Sequence, residues 1–222
     1  MRQQIKIVLP RSAWDNITIT ENGEQLVSVE QTDRLKLNLI KKDYTPSFFV
    51  RESIKEKIIK ISNSLPHGIN LVLIEGYRST ASQKYEWDRV YNDLKDSFPN
   101  LSDDEINKKV GLLVAKPLPL ANHHCGGAID VTLCSNDGTL FDMGTGYISE
   151  IKNMEEKQYI PMFADRLTQE QQSNRTLLRE AMEKEGFVWY PGEWWHYCYG
   201  DRMWAVYTNK KESFYGPIEK TP

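Results

Sequence analysis

Two short segments of the chain contain residues whose types and spacing suit a metal site. The first has His123 and Asp130 on either side of two glycines, and the second has Glu193 followed by His196. Two imidazoles and one carboxylate are a common ligand set of catalytic zinc, whose fourth position is left to water. The remaining carboxylate, Glu193, is a candidate base for that water. The sequence therefore predicts a hydrolytic zinc centre in which His123, Asp130 and His196 hold the metal.

Three neighbouring side chains are rival ligands. His124 follows His123 directly, but adjacent side chains usually point apart, so we expect it beside the site rather than in it. Cys125 and Cys198 each lie close to a predicted ligand, and zinc binds sulfur readily. Free cysteines are more often small buried hydrophobic residues. Contact of either thiol with the metal stays open on the sequence alone.

Composition limits the class of protein and its partners. The chain has 222 residues, a formal net charge of −3 and a pI near 5.9, as expected for an ordinary folded domain. Acidic and basic residues are interspersed, so we expect no nucleic-acid partner. The apolar run at 7–9 is too short for a signal peptide or a membrane span, and the three cysteines suggest no disulfide framework. We expect one cytoplasmic domain over 1–222 without a membrane partner, and its oligomeric state stays open.

The first part of the chain has the pattern of short strands. β-prone runs at 17–20 and 25–29 flank an Asn-Gly pair, which predicts a hairpin, and leucines alternate with polar residues at 35–39. We therefore expect residues 1–49 to form a β-rich N-terminal extension.

The next part alternates between helix and strand patterns. Apolar residues recur at helical spacing over 50–65, and a continuous apolar run at 69–74 predicts a buried strand. A capping-box spacing that starts at Thr80 predicts a helix up to about 98, and a second one predicts a helix over 102–114.

The metal motifs are placed among further predicted elements. Two prolines at 117–119 predict an extended loop that leads into His123. Helical spacing at 177–182 followed by Gly186 predicts a helix that ends there. Strands are expected at 128–133, 139–143, 187–190, 194–199 and 203–207, and residues 210–222 are expected to form a loose tail.

Several separate motifs follow one another in a recognisable order. They are HxxGxAxD at 123–130, ExxH at 193–196, EGYRS at 75–79, DMGT at 142–145 and the run from 174 to 187. This set resembles the D-alanyl-D-alanine dipeptidases of the M15 zinc metallopeptidases. The resemblance extends from about residue 50 to about residue 207.

The resemblance implies a fold, a metal and a reaction. The implied fold is α+β, a single domain with a central, mainly antiparallel sheet flanked by helices, as in the hedgehog and D-Ala-D-Ala peptidase class. One zinc ion per chain is implied at His123, Asp130 and His196, with Glu193 as general base and Arg78 as the group that stabilises the oxyanion. The implied substrate is D-alanyl-D-alanine or a closely related D-amino-acid dipeptide.

Two positions depart from the family's pattern. Ala121 stands where the family usually has a small hydroxyl residue, and Ile148 stands where the dipeptidases commonly have an acid that pairs with the substrate's amino group. Glu150 and Asp142 are the candidates to replace that acid.

Two other functions therefore stay under consideration. A D,D-carboxypeptidase or endopeptidase on longer muropeptides needs no partner for a free amino group. A non-catalytic zinc-binding module, as in hedgehog domains, needs neither a base nor an oxyanion donor, so Glu193 and Arg78 argue against it.

Overall fold

The structure, a computed structural model, describes most of the chain. The described residues are 7–9, 11–14, 16–38, 40, 46–111, 114, 116, 122–147 and 156–218. Within them lie five α-helices, α1 (Glu52–Ser64), α2 (Thr80–Ser97), α3 (Asp103–Val110), α4 (Gln169–Lys184) and α5 (Arg202–Tyr207). The same part of the chain has nine strands, β1 (Thr18–Ile19), β2 (Leu26–Ser28), β3 (Leu35–Leu37), β4 (Phe49–Arg51), β5 (Ile69–Glu75), β6 (Ala128–Ser135), β7 (Val188–Trp189), β8 (His196–Cys198) and β9 (Glu212–Ser213).

A five-stranded sheet in the order β3-β5-β6-β8-β7 forms the centre of the fold. Its two long strands, β5 and β6, are almost entirely buried, as expected for continuous apolar runs. The β5–β6, β6–β8 and β7–β8 pairings are antiparallel, whereas β3 pairs parallel with β5. The prediction of a mainly antiparallel central sheet is therefore confirmed only in part. Sheet and helices together form one mixed α+β domain.

Helices α1 and α4 supply apolar side chains to the main core. Ile54, Ile58 and Ile61 of α1 lie in one cluster with Leu178 and Met182 of α4, next to the strands of the central sheet. Their spacing follows the helical period, which is why the sequence predicts both helices. None of the described helices is long and apolar enough to cross a membrane.

Side-chain caps set where the other helices begin. Ser102 and Glu105 form the predicted capping box at the start of α3. The predicted cap of α2 is wrong by one residue, because the Ser79 hydroxyl, not that of Thr80, accepts a hydrogen bond from the backbone N–H of Ser82. Arg78 therefore lies immediately before the helix cap.

The predicted N-terminal hairpin is wrong. β1 pairs parallel with β9, and β2 pairs antiparallel with β4. The backbone N–H of Asn22 donates to the carbonyl oxygen of Phe214 at 3.0 Å, so this turn is tied to the C-terminal segment and not to a neighbouring strand. In addition, β3 belongs to the central sheet, so residues 1–49 are not simply an extension.

Two predicted strands and the predicted loose tail also need correction. Residues 203–207 lie in α5, because the Asp201 carboxylate caps this segment by accepting from the backbone N–H of Trp204 at 2.7 Å. At 139–143 there is only an isolated bridge between Cys134 and Leu140. Within the predicted tail, Tyr215 is 1% exposed and β9 is paired. Residues 219–222, the predicted proline loop at 117–121 and the last leucine of 35–39 lie outside the described residues.

Candidate metal centre

Strand pairing brings the two motif segments together. In the β6–β8 register, Asp130 lies directly opposite His196. On the other side of β6, Asp130 is paired with Glu75 at the end of β5. Residues that are far apart in the chain thus meet at one point of the sheet.

A glycine turn places His123 beside this point. His123 lies in the short 3-10 helix Asn122–Cys125, directly before β6. Gly126 has a φ of +71°, a conformation that favours glycine. A Cβ at Gly127 would lie 2.5 Å from the carbonyl oxygen of Tyr199, so this position also requires glycine. The structure therefore has the tight turn predicted from the two glycines.

The three predicted ligands form one compact group of donor atoms. His123, Asp130 and His196 are buried, and their donor atoms lie within 4.8 Å of one another. Asp130 Oδ1 is 3.0 Å from His196 Nδ1 and 3.3 Å from His123 Nε2. The two imidazole nitrogens are 3.2 Å apart.

The hydrogen bonds on the far side of each ring indicate what this group can bind. His123 Nδ1 lies 2.7 Å from the carbonyl oxygen of Gly76, which can only accept, so Nδ1 carries the proton and Nε2 presents a lone pair. His196 Nε2 lies 3.3 Å from the sulfur of Cys198, which leaves Nδ1 facing the group. In the His196 tautomer that carries its proton on Nε2, two nitrogen lone pairs and a carboxylate oxygen converge without a donor between them. Such a set fits a divalent cation, and nitrogen with carboxylate oxygen fits zinc.

The charges around the group also fit a cation. Burial alone would raise the pKa of Asp130, but the neighbouring imidazoles of His123 and His196 outweigh it and hold the pKa well below its usual value. Glu75 is a second acid at this point and is 1% exposed. The carboxylates of Asp130 and Glu75 carry more negative charge than the nearby guanidinium of Arg78 can neutralise. A bound cation therefore stabilises the site.

Glu193 lies in the same electrostatic environment. Its side chain is only partly exposed, and burial raises its pKa to about 7. His196 and Arg78 act in the opposite direction, while the charge of Asp130 raises the pKa further. A carboxylate with this pKa can both accept and release a proton near neutral pH.

Arg78 is held at the edge of the donor group. Its guanidinium pairs with both oxygens of Glu75, donates to Gln83 Oε1 at 3.0 Å and lies 3.9 Å from Asp130 Oδ2. Its side chain is 12% exposed. The orientation of this cation is therefore fixed by the protein.

The rival ligands lie outside the donor group. His124 is buried, with Nδ1 at 3.2 Å from the Arg78 carbonyl oxygen and Nε2 at 3.3 Å from the Thr80 hydroxyl. Cys125 donates to the Asn122 carbonyl oxygen, and burial raises the pKa of its thiol. Cys198 faces the imidazole nitrogen of His196 that points away from Asp130. Among the described residues, the donor group contains neither sulfur.

Sequence reasoning missed three partners of the group. The carbonyl oxygen of Gly76 orients His123, and the hydroxyl of Tyr147 lies 2.6 Å from Asp130 Oδ2. The carboxylate of Glu75 is the third partner, and it forms an ion pair with Arg78. A backbone carbonyl has no sequence signal, but Tyr147 follows the DMGT motif closely, and that position was a usable signal.

A cavity of about 240 Å³ reaches Tyr147, whose hydroxyl contacts Asp130, but none of the three predicted ligands lines it. It is lined by Ile40, Thr132, Leu140, Phe141, Asp142, Met143, Gly144, Thr145, Gly146, Tyr147 and Trp194. Trp194 and Trp195 are each 2% exposed, so these tryptophans are core residues, and Trp194 also lines the cavity.

Ala121, Ile148 and Glu150 lie outside the described residues.

Fold and site together define an α+β domain with a buried group of donor atoms that could hold a metal ion. The family model described as D-Ala-D-Ala dipeptidase, peptidase M15, matches residues 5–215. The chain therefore belongs to the M15 peptidase family, as the motifs predict.

Individual relatives match smaller parts of the chain. A D-alanyl-D-alanine dipeptidase from Synechocystis is 36% identical over 115 residues, which are 46% of this chain and 46% of that protein. One from Enterococcus faecium is 32% identical over 155 residues, or 67% of this chain and 71% of that protein. The match thus spans less than half the length of the first relative.

Solved structures resemble the chain more distantly. A D,D-pentapeptidase of a VanB-type vancomycin-resistance cassette has 14% identity and a TM-score of 0.44, over 89% of this chain and 96% of that one. An LD-carboxypeptidase has 16% identity and a TM-score of 0.48, over 86% of this chain and 76% of that one.

Proposed function

We propose that this protein is a zinc-dependent dipeptidase that hydrolyses D-alanyl-D-alanine or a closely related D-amino-acid dipeptide. The observation that carries the proposal is the buried convergence of His123, Asp130 and His196 next to the acid Glu193. Membership of the M15 family and the named relatives support the choice of substrate.

The residues of the site divide the chemistry among them. Zinc, when bound by His123, Asp130 and His196, supplies a Lewis acid and lowers the pKa of water. Glu193 takes the proton of the attacking water and later delivers it to the departing amine. In the metal-free protein, burial raises the pKa of Glu193 to about 7, which favours proton uptake near neutral pH. Arg78, which Glu75 and Gln83 hold in place, stabilises the negative charge that develops on the carbonyl oxygen.

The central test separates metal binding from proton transfer. In Glu193→Ala, the donor group is intact, so we expect about one zinc ion per chain by elemental analysis, as in the wild type. Hydrolysis of D-alanyl-D-alanine should fall at least about 100-fold, since a general base typically contributes that much or more. His196→Ala is the matched variant and should lose both zinc and activity. Full activity of Glu193→Ala would overturn the mechanism.

One observation favours a second candidate, a carboxypeptidase or endopeptidase acting on longer muropeptides. The acid that commonly binds the substrate's amino group is replaced by Ile148. Asp142 is a poor substitute, because its carboxylate accepts from the backbone N–H of Gly144 at 2.8 Å and from Gln171 Nε2 at 2.9 Å. A pocket without an amino-group partner has no reason to require a dipeptide.

Blocking the amino group distinguishes the two enzyme functions. We expect the zinc-loaded protein to hydrolyse free D-alanyl-D-alanine faster than its N-acetylated form, with products measured by liquid chromatography. A preference for the acetylated substrate would instead support the carboxypeptidase. Bound zinc with no turnover of D,D-, L,D- or L,L-dipeptides would support the non-catalytic module.

A further inference from the structure

The two oxygens of Asp130 have separate partners. Oδ1 faces His196 Nδ1 at 3.0 Å and His123 Nε2 at 3.3 Å, so it belongs to the donor group. Oδ2 lies 2.6 Å from the hydroxyl oxygen of Tyr147. The carboxylate is thus shared between the predicted metal position and a phenol.

The Tyr147 hydroxyl makes a short hydrogen bond to a carboxylate oxygen of Asp130. Glu75 Oε2 is also nearby, but at 3.4 Å it is much farther than Asp130 Oδ2 at 2.6 Å. Glu75 Oε2 already accepts from Arg78 Nη2. The same Arg78 nitrogen lies 3.4 Å from the Tyr147 hydroxyl, where it donates to the oxygen. The hydroxyl therefore donates to Asp130.

The position of this hydroxyl is determined by its surroundings. Tyr147 is 2% exposed, and its ring packs against Trp195 with a centroid distance of 5.2 Å. The loop before it is anchored at the Met143 carbonyl, which accepts from Arg175 Nε at 2.7 Å. A Cβ at Gly144 would come within 2.5 Å of Leu167, so the loop is also closely packed there. Little reorganisation is needed for the hydroxyl to act.

We propose that Tyr147 is a positioning residue for the metal centre, which holds Asp130 as a ligand through a single oxygen. A carboxylate can bind zinc through one or both oxygens, and a hydrogen bond to the outer oxygen favours the first arrangement. One-oxygen binding leaves the fourth position of a tetrahedral site to water. This inference rests on the proposed function, because it takes His123, Asp130 and His196 as the zinc ligands.

The test is the zinc affinity of Tyr147→Phe, which removes only the hydroxyl. Loss of a partner of a ligating side chain typically weakens metal binding by about 10- to 100-fold, and we expect about 10-fold here. The dissociation constant is measured by competition with a chromophoric chelator, and melting of the chelator-treated protein reports the metal-free fold. Activity is not needed for either measurement.

Tyr215→Phe is the matched control. Tyr215 is 1% exposed, and its hydroxyl bonds with Ser53 at 2.6 Å and Glu24 at 2.7 Å, residues outside the donor group. Its loss should lower the melting temperature and leave the zinc affinity unchanged. A purely structural role of Tyr147 would give this same result. Wild-type zinc affinity in Tyr147→Phe would therefore overturn the inference.

Cobalt provides a second readout of the coordination itself. Four-coordinate Co²⁺ absorbs visible light more strongly than Co²⁺ with more ligands, so its spectrum reports the geometry. If the freed oxygen of Asp130 also binds the metal, the absorption of Co²⁺-loaded Tyr147→Phe falls relative to the wild type. Unchanged absorption would show that Asp130 still binds through one oxygen without the hydroxyl, and would also overturn the inference. A wild-type protein that binds neither metal would instead overturn the proposed function.

Discussion

At the scale of single residues, the site is organised around acids in an environment that disfavours their charge. Asp130 and Glu75 are almost fully buried, and burial raises the pKa of Glu193 to about 7. Burial alone would also raise the pKa of Asp130, but hydrogen bonds and electrostatic interactions with the His123 and His196 imidazoles outweigh burial and hold this pKa well below its usual value. The acids respond differently because Asp130 directly contacts two imidazoles, whereas Glu193 is dominated by burial.

This difference predicts how pH affects the metal-free protein. The pKa of Glu193 rises from an ordinary value of 4.5 to about 7 on folding, so the folded state binds more protons than the unfolded state between these values. The raised pKa of Glu193 therefore stabilises the folded state fully below pH 4.5. This stabilisation is lost as the pH rises through about 7. Glutamine cannot ionise. Metal-free Glu193→Gln should thus melt like the wild type at acidic pH and at a higher temperature at pH values above 7.

The measurement is a pair of melting curves with excess chelator, one on each side of this pH window. Glu180→Gln is the control for loss of a charge, because the Glu180 side chain is 58% exposed. A melting difference between Glu193→Gln and the wild type that does not change with pH would contradict the prediction.

At the scale of elements, helix α4 fixes the loops around the site through one buried arginine. Arg175 is 2% exposed and donates to the carbonyl oxygens of Met143 at 2.7 Å, Pro161 at 2.5 Å and Tyr159 at 2.5 Å. Burial lowers the pKa of Arg175 to about 10, which leaves it charged at neutral pH. A helix thereby links the loop that leads to Tyr147 with the segment that follows residue 156.

Substitution of this arginine should destabilise the fold and disturb the site. Arg175→Met leaves three or more buried carbonyl oxygens without a donor, and we expect a loss of about 3 kcal/mol in urea unfolding. Zinc affinity should fall as well, because the Tyr147 loop is then less well anchored. The control is Arg179→Met on the same helix, whose ion-pair partner Glu183 is 37% exposed, and a smaller loss is expected. Equal losses of unfolding free energy for the two variants would argue that Arg175 does not anchor the loops around the site.

At the scale of the whole molecule, an early and a late segment of the described residues are joined next to the site. Arg51 is 1% exposed and binds the Glu21 carboxylate, the Gly216 carbonyl oxygen at 3.0 Å and the Cys125 carbonyl oxygen at 2.7 Å. The Arg51 guanidinium therefore connects Glu21, Gly216 and the 3-10 helix that contains His123. The stability of the site depends on this long-range connection.

We expect Arg51→Met to cost about 3 kcal/mol, because several buried acceptors lose their donor together. Urea unfolding of the metal-free protein measures this cost. Lys55→Met removes a more exposed ion pair with Glu30 and should cost less than about 1 kcal/mol. The connection is refuted if Arg51→Met unfolds at the same urea concentration as the wild type.

The sequence by itself determined the parts of this protein that depend on local signals. The helical period predicts α1 and α4, and Ser102 with Glu105 predicts the start of α3, because both patterns act within a few residues. The histidines and acids of the site were also identifiable, because their types limit the chemistry and their spacing fits a motif.

Apart from the two metal motifs, which the sequence predicts to meet, only the tertiary structure decided which distant segments are in contact. The sequence did not indicate that β1 pairs with β9, or that the Gly76 carbonyl and the Tyr147 hydroxyl contact His123 and Asp130. The local β-pattern at 203–207 was overridden by the Asp201 cap. The physical reason is that strand pairing and buried hydrogen bonds are selected by the packing of the whole chain, and a partner that is distant in sequence leaves no periodic signal.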